Sequence, residues 1–226
     1  MNTTALAAFQ RTSSMSGATS SASSVVYIVD DDISVRESLE GLIADAGLRP
    51  EVFASAEEFL SHTRESVPSC LVLDVSLPDL NGLELQKRIS DRPALPIIFI
   101  TGHGDIPMTV QAMKAGAVEF LTKPFGPEAL LSAIRGAIDR SRVALDREKD
   151  LKGLRDRYES LTGRERQVMA LIVRGQLNKQ VAGELSLSEI TVKVHRGRVM
   201  RKMSARTFAE LVNIAARLGL AVAGKQ

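Results

Sequence analysis

Cysteine is nearly absent from this chain: among 226 residues Cys70 is the only one, set in the apolar run Cys70-Leu71-Val72-Leu73. No intrachain disulfide can form, and a reducing cytoplasm is the expected compartment. Histidine is almost as scarce, and His62, His103 and His195 stand too far apart to give zinc-ligand spacing. Tryptophan is missing and aromatics are limited to 2 Tyr and 7 Phe, which suits a helix-rich protein. Also absent is any run near the ~18 apolar residues of a membrane helix, which excludes a transmembrane protein. What is present is apolar content of 44%, enough to fill real cores in a chain long enough for one large domain or two ordinary ones.

The overall charge of +2 conceals two halves of opposite sign. Residues 25–140 carry 10 basic and 18 acidic side chains, whereas residues 161–226 carry 12 basic and 4 acidic ones. Between them, residues 141–160 are nearly balanced, with 6 basic and 5 acidic. An acidic half and a basic half imply different partners, and the basic half is drawn toward a polyanion such as nucleic acid. The first 24 residues hold 7 Ser and 4 Thr, no acid and only Arg11 as a base; they read as a disordered tail, with an apolar patch too short for a signal peptide.

From Val25 onward, short β-branched runs alternate with helical patterns. The expected strands are Val25–Val29, Val52-Phe53, Leu71–Asp74, Ile97–Thr101 and Phe120-Leu121. The expected helices are Ser34–Ala46, Ser55–Thr63, Gly82–Ser90, Pro107–Ala115 and one opening at Pro127. Near-continuous apolar strands joined by helices predict a parallel α/β sheet covered on both faces, with its site beyond the carboxyl ends of the strands. Those ends carry the polar groups: Asp30, Asp31 and Asp32 after the first strand, Asp74 ending the third, Thr101 ending the fourth and Lys123 after the fifth. Carboxylates brought together must protonate, pair with a base or bind a cation, and Mg²⁺ fits best because it prefers oxygen ligands and bridges carboxylates to phosphoryl oxygens. Asp74 is then poised as a nucleophile toward phosphorus, with Lys123 and the Thr101 hydroxyl placed to meet the new oxygens. Taken singly, Asp32 could instead cap the next helix, Asp74 a turn, and Lys123 could be a solvated lysine.

Four segments together make residues 25–140 resemble a bacterial response-regulator receiver domain, with a flavodoxin-like five-stranded doubly wound sheet. They are V-D-D-D at Val29–Asp32, L-D-V-S-L-P-D at Leu73–Asp79 with Asn81-Gly82, I-T-G-H-G-D at Ile100–Asp105, and K-P-F at Lys123–Phe125. The resemblance implies that Asp74 is the phosphoacceptor, and that Asp31, Asp74 and the Ser76 backbone carbonyl bind Mg²⁺ with Asp30 acting through water. It further implies that Thr101 and Lys123 contact the phosphoryl group, that Phe120 takes the switch-aromatic position without a tyrosine hydroxyl, and that Lys123-Pro124 is cis. The run Gly102–Ala117 is similar to the FixJ branch of the family.

Residues 141–160 alternate charges around Leu145, Leu151, Leu154 and Tyr158 and are expected to be a helical linker, with 3 and 4 spacings that allow a short coiled-coil seam. Beyond it the pattern reads as four helices: Arg164–Arg174 ended by Gly175, Lys179–Leu185 opened by Asn178, Glu189–Met203 opened by Ser188, and Phe208–Leu218 ended by Gly219. The tight turn at Ser186-Leu187-Ser188 gives helix-turn-helix spacing. Lys193, His195, Arg196, Arg198, Arg201 and Lys202 crowd the third of these helices, and no acid stands between Glu189 and Glu210 to balance them. The segments Leu161–Met169, Asn178–Ala182, Thr191–Arg196 and Met200–Met203 make residues 161–226 resemble the NarL/FixJ (LuxR-type) DNA-binding domain. By that resemblance the base-reading positions fall on Lys193, Val194 and Gly197, the last lacking a side chain to contact a base, while His195, Arg196, Arg198 and Arg201 complete the DNA-binding set. The run Leu177–Leu185 is also similar to regulators of styrene breakdown.

Together the halves imply a DNA-binding response regulator, phosphorylated on Asp74 by a sensor histidine kinase and acting on double-stranded promoter DNA. It would be a homodimer when phosphorylated, have RNA polymerase as a candidate partner, bind no membrane, and be no enzyme beyond its own phosphorylation and dephosphorylation. Two other classes stay open on the residues alone. An aspartyl-phosphate phosphatase would need an acid two residues after Asp74, where Ser76 stands. A phosphate-sink adaptor whose basic half binds protein would show no sequence-specific DNA affinity.

Overall fold

Five strands form one parallel sheet in the order β2-β1-β3-β4-β5: β1 (Val25–Val29), β2 (Arg49–Phe53), β3 (Ser69–Asp74), β4 (Ile97–Thr101) and β5 (Glu119–Thr122). The computed structural model describes residues 24–102 and 106–220. Of the N-terminal tail only Ser24 falls within them; His103, Gly104, Asp105 and the last six residues of the basic half lie outside. Ser24 is buried just before β1, and its carbonyl accepts from the Arg49 amide at the start of β2 at 3.1 Å.

The sheet is apolar on both faces because successive strand residues point to opposite sides. Tyr27, Leu71, Leu73 and Phe99 face helices α2 (Ala56–Ser61), α3 (Gly82–Arg88) and α4 (Ile106–Lys114). Val26, Ile28, Val72 and Ile98 face α1 (Ile33–Asp45) and the first part of α5 (Pro127–Glu159), through Leu39, Ile43, Leu130 and Ile134. Cys70 is among this second set, and burial pushes its thiol up to about 12, leaving it an inert packing residue.

The two edge strands are longer than their apolar cores suggested. Strand β2 starts at Arg49 and includes Pro50, which an edge strand tolerates because one side makes no ladder. Helix α2 is shorter than expected: Ser55 caps it, its hydroxyl accepting from the Glu58 amide at 3.1 Å, and it ends at Ser61.

The chain divides into two compact units between Ile138 and Asp139, and α5 spans that division. The second unit packs α6 (Gly163–Ile172), α7 (Asn178–Leu185), α8 (Glu189–Lys202) and α9 (Phe208–Arg217) around Val168, Met169, Val181, Val192, Val199, Met203 and Leu211. Tyr158 and Leu161 join this core, so the 3 and 4 spacing at the end of the linker serves packing inside the unit. Helix α6 opens with a capping box, the Thr162 hydroxyl accepting from the Glu165 amide at 3.3 Å and Glu165 accepting from the Thr162 amide at 2.9 Å.

Asn178 does not cap α7, contrary to the sequence expectation. Leu177 holds the cap position, its amide met by Gln180 Oε1 at 2.8 Å, because Asn178 Oδ1 is engaged by Arg196 Nη1 at 2.7 Å. The turn to α8 leaves α7 through Ser186 in the left-handed region, φ 53°, and α8 is capped by Ser188, whose Oγ accepts from the Thr191 amide at 3.1 Å.

Candidate functional site

The carboxyl ends of β1 and β3, side by side at the middle of the sheet, bring Asp30 and Asp74 together as fully and almost fully buried acids. Lys123, just past the end of β5, reaches both: its Nζ lies 2.7 Å from Asp30 Oδ2 and 2.7 Å from Asp74 Oδ2. Burial lifts the Asp30 carboxyl above its ordinary value, against the pull of Lys123 and of the Asp32 amide that donates to its Oδ1 at 3.0 Å. Burial pulls the Lys123 ammonium down, but its hydrogen bonds to Asp30 and Asp74 and their charges outweigh that, so it titrates above an ordinary lysine.

Asp31 completes an acidic triad: Asp30, Asp31 and Asp74 each offer a carboxylate oxygen, all within 4.8 Å of one another. The exposed Asp31 leaves one side of this group open to solvent, which fits a hard cation that keeps part of its water shell. Asp32 stands apart, its Oδ1 accepting from the Ser34 amide at 2.8 Å as the cap of α1. Asp74 Oδ1 accepts from the Ser76 amide at 2.9 Å, which fixes the carboxylate from the side opposite Lys123. Thr101 is buried at the end of β4, and its carbonyl accepts from the Lys123 amide at 2.7 Å. Phe120 is half-buried on β5, its ring centroid 6.2 Å from that of Phe99. The Lys123-Pro124 peptide is cis.

Gly82, quoted only as part of a motif in the sequence, has a geometric role that the motif does not explain. A Cβ there would lie 2.6 Å from the Asp74 carbonyl oxygen, 3.1 Å from Val75 Cα and 3.2 Å from Phe99 Cε1. Only glycine lets the start of α3 press against the backbone of the acid at the centre of the pocket.

In the second unit the basic residues of α8 do not share one environment. Lys193, Val194, Arg198 and Arg201 are exposed, on the side away from the buried Val192 and Val199. His195 and Arg196 are half-buried, with His195 Nδ1 buried and without a hydrogen-bond partner among the described residues. Arg196 is drawn inward by Asn178 and by the ring of Phe208, whose centroid lies 5.6 Å from its Cζ. Lys202 is balanced after all, by an acid on a different helix: its Nζ sits 2.7 Å from the buried Glu165 Oε2. That ammonium, with the Thr162 amide, holds the Glu165 carboxyl down at about 2.

A doubly wound sheet with a lysine-bridged carboxylate pocket at its strand ends, followed by a helix-turn-helix unit with an exposed basic helix, defines a receiver module joined to a DNA-binding module. Residues 26–135 match the response regulator receiver domain, and residues 159–215 match the bacterial regulatory proteins of the luxR family. Nodulation protein W of Bradyrhizobium diazoefficiens is 49% identical over 201 residues, covering 88% of this chain and 88% of that protein. The response regulator protein TodT of Pseudomonas putida is 48% identical over 196 residues, 86% of each. Among solved structures, the response regulator StyR shares 47% identity and a TM-score of 0.74 over 87% of this chain and 100% of that one. Full-length FixJ from B. japonicum shares 40% identity and a TM-score of 0.50 over 87% and 98%. This chain belongs to the response regulators that carry a LuxR-type DNA-binding domain, and its function is transcription regulation. No helix among the described residues is long and apolar enough to cross a membrane.

Proposed function

We propose that Asp74 is the phosphoacceptor and that its phosphorylation by a sensor histidine kinase switches the DNA-binding unit on at promoter DNA. The observation that carries this reading is the placement of Asp74 between two donors, Ser76 N on one oxygen and Lys123 Nζ on the other. A carboxylate so held presents a fixed nucleophile. The phosphorus–nitrogen bond of the kinase phosphohistidine breaks as the bond from an Asp74 oxygen to phosphorus forms, and the freed imidazole takes up a proton. Asp31, Asp74 and the Ser76 carbonyl would hold Mg²⁺, with Asp30 through water, and the ion would supply charge neutralisation on the phosphoryl oxygens. Lys123 moves its hydrogen bond from the carboxylate to the new phosphoryl group, which Thr101 meets through its hydroxyl. Drawing these strand ends inward repositions Phe120, a two-state bias set by new charge.

The working parts on this reading are a receiver over 25–140, a helical linker over 141–160 and a DNA-binding domain over 161–226, in a cytoplasmic protein. Phosphorylation promotes a homodimer, for which the exposed Ile106, Val110 and Met113 on α4 offer an apolar stripe at helical spacing. Lys193 and Val194 read base edges; Arg198 and Arg201 meet phosphates, and Arg196 and His195 support them from the side of the helix. RNA polymerase is the further candidate partner. Incubation of the full chain with acetyl phosphate and Mg²⁺ should add one phosphoryl group by intact mass and raise DNA affinity, and D74N should do neither. Undiminished labelling of D74N removes the assignment, and labelling without any gain in DNA affinity favours a phosphate-sink adaptor.

A further inference from the structure

We infer that Ile190, with Val194 beside it, reads the C5-methyl group of a thymine in the major groove, so that the bound site carries a T·A pair at the first turn of α8. The inference rests on α8 being the DNA-reading helix. Ile190 is the second residue of that helix, and it is the N-terminal part of a recognition helix that contacts base edges. Its side chain is 78% exposed and takes no part in the core of the unit, while Val194, one turn on, is 48% exposed.

A single exposed apolar residue needs no explanation. Two of them four residues apart on one face are a patch, and this face is the one opposite the buried Val192, Val199 and Met203. The remaining side chains on that side are the exposed Lys193, Arg198 and Arg201, which suit a polyanion and no apolar protein surface. Within a polyanionic duplex, the apolar feature that a groove-facing side chain can meet is the thymine methyl. Isoleucine and valine are stiff at the first side-chain torsion, so they hold their methyl groups in place before binding.

Gly197 continues the same face, and nothing inside the unit requires it: a Cβ there would meet nothing within 4 Å. Its bareness therefore acts outward. With no side chain to hold the helix off the duplex, the backbone approaches the base edges and brings the first turn, with Ile190, deeper into the groove.

The test uses the full chain treated with acetyl phosphate and Mg²⁺, and duplexes selected from a random pool. Each thymine of the selected duplex is replaced in turn by deoxyuridine, which removes the methyl and leaves the hydrogen-bonding edges unchanged. One such replacement should weaken binding of the unmodified protein about three- to tenfold, the scale of one buried methyl group. I190A should weaken binding to the thymine duplex by a similar factor and should bind thymine and deoxyuridine duplexes alike. Absence of a deoxyuridine effect, or full retention of thymine discrimination by I190A, overturns the inference and leaves DNA reading by α8 intact. A pool that yields no shared sequence overturns both.

Discussion

Replacing Gly82 by alanine tests whether the pocket depends on the close approach of α3 to the end of β3. The added methyl would lie 2.6 Å from a backbone carbonyl oxygen, so α3 or the strand must retreat by roughly 0.8 Å to reach ordinary contact. The strand cannot yield cheaply: β3 is the central strand, hydrogen-bonded to β1 and β4, and the Val75 amide is tied to the Ile100 carbonyl at 3.1 Å. Retreat of α3 stretches the bond from the Gly82 amide to the Val75 carbonyl, now 3.0 Å. Overpacking of this kind costs about 1–3 kcal/mol, against which the lower backbone entropy of alanine in the unfolded chain returns about 0.4–1 kcal/mol. A net loss of about 1–2 kcal/mol follows, which speeds exchange of globally protected amides roughly five- to thirtyfold. Hydrogen exchange followed by mass spectrometry on the full chain reads this at the β3 amides, unit by unit. G41A, in a helix position where a Cβ meets nothing within 4 Å, should instead leave protection unchanged or raise it. Because the crowded oxygen belongs to Asp74 and the retreating helix abuts it, G82A should also slow phosphoryl labelling. Unchanged exchange and unchanged labelling in G82A would refute the reasoning.

K123A should still label at Asp74, more slowly, but gain no DNA affinity on labelling; normal activation in a gel-shift titration would remove its coupling role. K193A should cost about 1–3 kcal/mol on a selected duplex and narrow its lead over scrambled DNA, whereas R201A should weaken both alike and reduce the salt slope by about 1. Equal losses for K193A on both duplexes would contradict its base-reading role. Glu165 titrates at about 2 when folded against an ordinary 4.5, so its contribution to the second unit is present above pH ~4.5 and fades as pH falls toward 2. Acid titration of helicity should show a loss in that window that E165Q lacks, with E165Q less stable at neutral pH by about 1–3 kcal/mol because Lys202 loses its charged partner. An identical acid profile for the two proteins would show that the pair does not stabilise the unit.

Strand and helix order was legible in the sequence because both sheet faces are buried, which turns each strand into a short continuous apolar run. The strand-end groups were legible for the same reason: a polar residue after such a run, at Asp30, Asp74 or Thr101, breaks the pattern where the ligand side begins. Edges were harder, since Arg49 and Pro50 have no apolar signature even though they pair with β1. Contacts between elements distant in sequence were not readable. Charge counting along α8 finds no acid after Glu189 and so treats Lys202 as available, but Glu165 lies 37 residues away and meets it across helices. Arg196 is the same case, with its acceptor on α7. Asn178 misled because its residue type favours caps, whereas its amide oxygen serves Arg196. The role of Gly82 is likewise a matter of ångströms between α3 and β3, and an Asn-Gly pair in sequence equally describes an ordinary turn.

Lys123 makes the pocket a site with its own tethered competitor. An ammonium held 2.7 Å from two carboxylates is present at a local concentration that no dissolved cation matches, and it cannot diffuse away. Any divalent ion entering among Asp30, Asp31 and Asp74 must share these carboxylates with it and suffer its repulsion, so cation affinity is held below what three acids alone would give. If Asp74 carries a phosphoryl group, as proposed, the same ammonium would find negative charge further out and cease to compete. On the proposed reading, a single side chain would hold the resting pocket's affinity for a divalent cation low and release it once Asp74 is modified. Removing it should strengthen divalent-cation binding by the unmodified protein while weakening the proposed response to phosphorylation.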